Sequence, residues 1–145
     1  MKRASWLLAI ALSSVAGAAL AESPCADGDP VAHPATDEPL RRFLAQDFEG
    51  FFETSLREGD QSADSLAGMV SSLRGQVPAM ELDSCAILAV HRHSSFVTTQ
   101  VVLMRSTTQD RSLLMRFAIV TLDGATFVSH FDMTTDMSNI YEYLR

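Results

Sequence analysis

Lysine is almost missing from this chain: Lys2 is the only one, and all other basic charge is arginine. Eighteen Asp and Glu face eleven Lys and Arg, a net charge of −7. That figure falls to −9 once Lys2 and Arg3 leave with the leader described below. A surface this acidic repels phosphate backbones and anionic headgroups, which argues against nucleic acids and membrane surfaces as partners. Cysteine is limited to Cys25 and Cys85, and no C-x-x-C spacing is present, so a thioredoxin-like redox pair is not indicated. A Gly-rich phosphate loop, a G-x-S-x-G elbow and a metalloprotease helix motif are also missing, which leaves nucleotide and common hydrolase chemistry without support. Internal repeats are lacking, and beyond the leader no apolar run could span a bilayer.

What is present begins with "MKRASWLLAIALSSVAGAALAES": two cations, an apolar run from Trp6, and Ala19 and Ala21 ahead of Glu22. This reads as a signal peptide, residues 1–21, cleaved after Ala21 and directing the chain to the periplasm or the exterior. Cys25 does not directly follow the cleavage site, as a lipid-anchored cysteine would. In an oxidising compartment Cys25 and Cys85 are expected to form a disulfide, and a loop of this length stabilises by roughly 4 kcal/mol.

Residues 22–39, rich in proline and acid, read as an extended or mobile lead-in with almost nothing to bury. Residues 40–145 then read as a single domain. Thr36 or Asp37 caps a helix in which Leu40, Phe43, Leu44, Phe48, Phe51, Phe52 and Leu56 recur at spacings of three and four, as far as Gly59. Gly50 inside it allows a bend or close packing. The phenylalanines read as core before they read as a ligand box. A second helix carries Leu66, Met69, Val70 and Leu73 and ends at Gly75.

From Glu81 the period becomes two, giving strands Leu82 to His91, Phe96 to Arg105, Arg111 to Leu122 and Ala125 to Met133. Asp123-Gly124 fits a two-residue type I′ hairpin, which pairs Leu122 with Ala125, Phe117 with His130 and Met115 with Asp132. Even-length loops elsewhere set Gln100, Phe117 and His130 in one row, with Ala89 on the same face and Val90, Phe131 and Met133 on the opposite one. Both faces are apolar. Two helices cover one of them, and the other needs the C-terminal stripe of Met137, Ile140, Tyr141 and Leu144, or a second copy of the chain in a homodimer.

His130 and Asp132, two apart on the last strand, form a candidate acid/base pair, because a carboxylate in an apolar cavity gains proton affinity and an imidazole shuttles protons near neutral pH. Gln100 beside them suits ligand orientation. His91 and His93 have the spacing of two metal ligands, but they lie at a turn beside Arg92 with no third ligand nearby, so no metal is expected.

The order helix, "REGD", helix, meander, together with "RSLLMRFAIVTLDGATFVSHFDMTTD", resembles the NTF2-like superfamily in its SnoaL-like and ketosteroid-isomerase-like branches. The resemblance implies an α+β fold: two N-terminal helices on a curved, cone-shaped four-stranded antiparallel sheet, closed by a short C-terminal helix. It also implies an apolar pocket, lined here by Gln100, Met115 and Phe117 from the sheet and by Phe48 and Phe52 from the helix. Asp132 occupies the place where the cyclases of that branch carry an acid/base, whereas the first helix has no counterpart of the isomerases' oxyanion-holding tyrosine. The leading expectation is an exported domain that binds a small apolar ligand or a protein without catalysis or cofactor. The alternatives are an isomerase, cyclase or hydrolase acting through Asp132 with His130, and a structural dimerisation domain.

Overall fold

The computed structural model describes residues 23–25, 30–56 and 62–144. The leader therefore lies outside the described residues, as does the expected helix end at Gly59. A 3-10 turn, Pro34–Thr36, runs directly into helix α1, Asp37–Leu44, followed by α2, Phe48–Ser55, and α3, Ala63–Gln76. After a second 3-10 turn, Pro78–Met80, come strands β1, Ser84–Arg92, β2, Val97–Arg105, β3, Ser112–Leu122, and β4, Ala125–Thr134. Met137–Asn139 and the one-turn helix α4, Ile140–Tyr143, close the chain. No helix among the described residues is long and apolar enough to cross a membrane.

The single long helix expected from the phenylalanine spacing is two helices. Gln46 takes a left-handed conformation, φ 59°, and Asp47 caps the new helix by accepting a hydrogen bond from the Gly50 N–H at 3.1 Å. A Cβ at Gly50 would meet the Asp47 carboxylate that makes the cap, so the cap would have to shift to admit it. Arg42 holds the other side of that carboxylate at 2.8 Å. The break lets Phe43 meet Phe48 and Phe51 edge to face, with ring centroids 5.6 and 5.2 Å apart.

The four strands form one antiparallel meander in the order β1-β2-β3-β4, and β1 and β4 do not pair with each other. Asp123 and Gly124 both have positive φ, 52° and 80°, as a type I′ turn between Leu122 and Ala125 demands. The cone-shaped, NTF2-like fold is not what forms: the sheet is open and does not curl. Curling a sheet takes bulges or kinks in the strands that must bend, and the β2–β3 ladder runs without interruption from Val97↔Val120 to Arg105↔Ser112. Register breaks occur in the two edge strands alone, between Ile87 and Ala89 in β1 and opposite Ala118 and Ile119 in β4.

Those two breaks invert the expected faces. In β4 the extra residue is Ser129, whose hydroxyl donates to the Ala118 carbonyl, so Val128 still opposes Ile119 but Phe131 then opposes Phe117 and Met133 opposes Met115. His130 and Asp132 therefore sit opposite Ala118 and Arg116, on the face away from the helices. In β1 the break brings Val90 into line with Gln100 and turns Ala89 to the other side with Val101. The helix-covered face is closed by Phe43, Phe48, Phe51, Phe52 and Leu40 over Val102, Met104, Met115, Phe117 and Ile119, all 2% exposed or less. On the other face, Val101 and Leu114 are also fully buried within the single chain.

The disulfide Cys25–Cys85 is formed, with both cysteines buried. It fastens the N-terminal segment to β1, and residues 30–36 lead into α1 as a strap seated on Gln100 of β2 and near β4.

Candidate functional site

Gln100 is the polar group at the heart of the helix-covered face, and it is fully buried. An amide buried in apolar surroundings must have both ends satisfied. Its Oε1 accepts the His33 backbone N–H, and its Nε2 donates to the Thr36 hydroxyl at 2.7 Å. Thr36, itself fully buried, donates that hydroxyl to the His33 carbonyl at 2.8 Å, which locks the 3-10 turn. The molecule that Gln100 orients is its own strap. Met115 and Phe117 from the sheet and Phe48 and Phe52 from α2 are buried in the core cluster, and Phe131 stands 4.9 Å from Phe51 between ring centroids.

His33 and Thr36 thus anchor the stretch expected to be a lead-in, and the Thr36 hydroxyl serves this seat without capping α1. The available signal was "HPAT", a residue able to cap a turn, followed by proline at its first position and a hydroxyl at its end. The His33 Nδ1 accepts the Ala35 N–H at 3.2 Å. Burial holds the His33 imidazole below its ordinary pKa, and Arg92 at the end of β1 adds to the effect while Asp37 opposes it.

His130 and Asp132 lie outside this seat. His130 is exposed, and no hydrogen bond joins it to Asp132. The Asp132 Oδ2 is held by the Arg116 guanidinium, at 3.0 Å from Nε and 2.8 Å from Nη2, and its Oδ1 is buried without a hydrogen-bond partner. A carboxylate clasped by arginine beside an exposed imidazole has no aligned path for a proton between the two groups. His91 and His93 have ring centroids 6.5 Å apart, and the His93 Nε2 is engaged by the Thr99 hydroxyl at 2.8 Å. Among the described residues no three His, Cys, Asp or Glu side chains converge to hold a metal.

Among the clefts on the surface of the described residues, two differ in character. The first, about 500 Å³, lies beneath the β2–β3 turn and is polar, lined by Ser84, Arg105 and residues 106–110. Its hydroxyls are already engaged: Ser84 with the Arg105 carbonyl, Ser106 with Thr108, Thr107 with Asp83, and Thr108 with Glu81. The Thr107 hydroxyl also holds the Asp83 carboxyl below its ordinary pKa. The second, about 380 Å³, runs between α2 and α3 over Ala63, Leu66, Ala67 and Val70, and an Arg74–Glu49 ion pair at 2.6 Å crosses one end. This surface is apolar, and of the fourteen residues of α3 only Val70 is buried.

No protein-family model matches the chain, and no curated protein is similar to it at a meaningful level. The three functions expected from the sequence all rested on the cone-shaped fold. The open sheet removes that basis, and with it the enclosed ligand chamber, the Asp132 acid/base mechanism and the dimerisation domain built on a convex cone face.

Proposed function

We propose that the mature chain is an exported recognition domain that binds another polypeptide on its helix layer. The observation that carries this reading is the self-occupied interior: the fully buried Gln100 amide is spent on His33 and Thr36. The α2–α3 cleft offers an apolar concavity on that layer, whereas the polar cleft beneath the β2–β3 turn has committed its hydroxyls. The export reading is supported by the leader pattern and by the Cys25–Cys85 disulfide, which suits an oxidising compartment.

The test is site-directed photo-crosslinking of the disulfide-bonded mature chain in its own exported fraction. A photoreactive side chain at Ser71, in the cleft, is expected to give a discrete adduct, and one at Thr126, on the far hairpin, is not. Blocking the cleft with Ala67→Gln should abolish the Ser71 adduct. Equal adducts from both positions, or an adduct insensitive to Ala67→Gln, would overturn the assignment.

A further inference from the structure

We infer that the strap is an acid-released latch: protonation of His33 lifts residues 30–36 off the Gln100 seat, while the core stays folded and the disulfide keeps the segment tethered. Polar contacts hold the strap more than burial does. Val31 and Pro34 are exposed, and Ala35 packs against the core only partly buried. The hydrogen bonds that seat it converge on one residue. His33 donates its backbone N–H to the Gln100 Oε1, and its carbonyl accepts the Thr36 hydroxyl at 2.8 Å and the Thr36 N–H at 3.0 Å. Its Nδ1 accepts the Ala35 N–H at 3.2 Å. A segment held in this way, with little apolar surface committed, opens at a lower free energy than the core.

Nδ1 accepts only while the ring is neutral with its proton on Nε2. A second proton turns Nδ1 into a donor that faces the Ala35 N–H, and the cap of the 3-10 turn is lost. Two charged groups act on the ring from the elements packed against it: Arg92 at the end of β1 disfavours the imidazolium, and Asp37 in the first turn of α1 favours it. The residues of β2 and β4 aligned at this level, Thr98, Gln100 and Val128, carry no charge. Burial, and then Arg92, outweigh Asp37, so the seated ring binds its second proton less readily than a released one, whose pKa returns to about 6.5. Seating is therefore complete above that pH and weakens as pH falls. One proton raises the opening equilibrium by at most about tenfold per pH unit, and the rise stops once the seated ring protonates too. The disulfide does not titrate, so the tethered strap reseats when pH is restored.

The experiment is nuclear magnetic resonance relaxation dispersion on the disulfide-bonded protein between pH 7 and 5, a window above the range where Asp and Glu titrate. The open population sensed at Ala35, at Thr36 and at the Gln100 side-chain amide is expected to rise as pH falls, by up to about tenfold per pH unit, with Phe51 and Met104 unchanged. His33→Asn keeps a capping acceptor and removes the titration, so its open population is expected to be flat with pH. His93→Asn, a histidine bonded to Thr99 and remote from the strap, should behave as wild type. An equal rise in His33→Asn, no rise in wild type, or a rise shared by Phe51 and Met104 would overturn the inference, the last because it reports opening of the core as a whole.

Discussion

At the scale of single residues, Gln100 bears the most consequence. Thr36→Val is nearly isosteric but strands the Gln100 Nε2 in an apolar interior, a loss of about 1–3 kcal/mol by urea denaturation, with Gln100→Leu following in the same direction. His33 makes the strap sensitive to acid. Its folded pKa lies below the unfolded value of about 6.5, so its contribution is complete above that pH and is lost as pH falls through the folded value. Of the charged groups, Arg92 and Asp37 act on His33, Arg92 lowering its pKa and Asp37 raising it. The depressed carboxylates Glu38, Asp47 and Asp83 lose their contributions only at lower pH, below about 4. Wild type is therefore expected to weaken between pH 7 and 5 where His33→Asn, which keeps a side-chain acceptor, does not. Parallel urea midpoints for the two proteins across that range would contradict the assignment.

At the scale of elements, the two edge-strand bulges and the helix break decide what faces what. Gly50→Ala would normally stabilise a helix by about 1 kcal/mol, but here the new Cβ meets the capping carboxylate of Asp47, so the substitution is expected to destabilise. In the Asp47→Ala background, which itself costs about 1 kcal/mol for the lost cap, the same change should become neutral or favourable. Deleting Ser129 would realign β4 by one residue, drive His130 and Asp132 against the phenylalanine core and eject Phe131 and Met133. Loss of cooperative unfolding by near-ultraviolet circular dichroism is the expected readout. These features also mark where the sequence was legible. Period-two alternation and Asp123-Gly124 located all four strands and the last hairpin, because both signals are local. One extra residue in a strand leaves alternation intact on either side of it, so the Ser129 bulge carried no periodic signature and the register copied from the hairpin placed His130 and Asp132 inward. The phenylalanine spacing likewise ran unbroken across Gln46, and the Asp47 to Gly50 cap that interrupts the helix was hidden beneath it.

At the scale of the whole molecule, the disulfide and the Gln100 seat hold one strap at two points. Cys25–Cys85 was readable as the pairing of the two cysteines in a chain expected to be exported, whereas the seat depended on a tertiary contact between His33, Thr36 and Gln100 that no sequence period announces. Replacing both cysteines with serine is expected to lower stability by up to roughly 4 kcal/mol, the value for a closed loop of this length, while leaving the α2–α3 cleft in place. The central claim is that the interior belongs to the chain itself and that recognition happens on the helix layer. Titration of the isotope-labelled, disulfide-bonded protein with the partner captured at Ser71, followed by nuclear magnetic resonance, tests it most directly. The account predicts shift changes at Ala63, Ala67 and Ser71 with the Gln100 side-chain amide signals unmoved. Displacement of those amide signals together with Thr36 and Phe117, and quiet at α3, would contradict it.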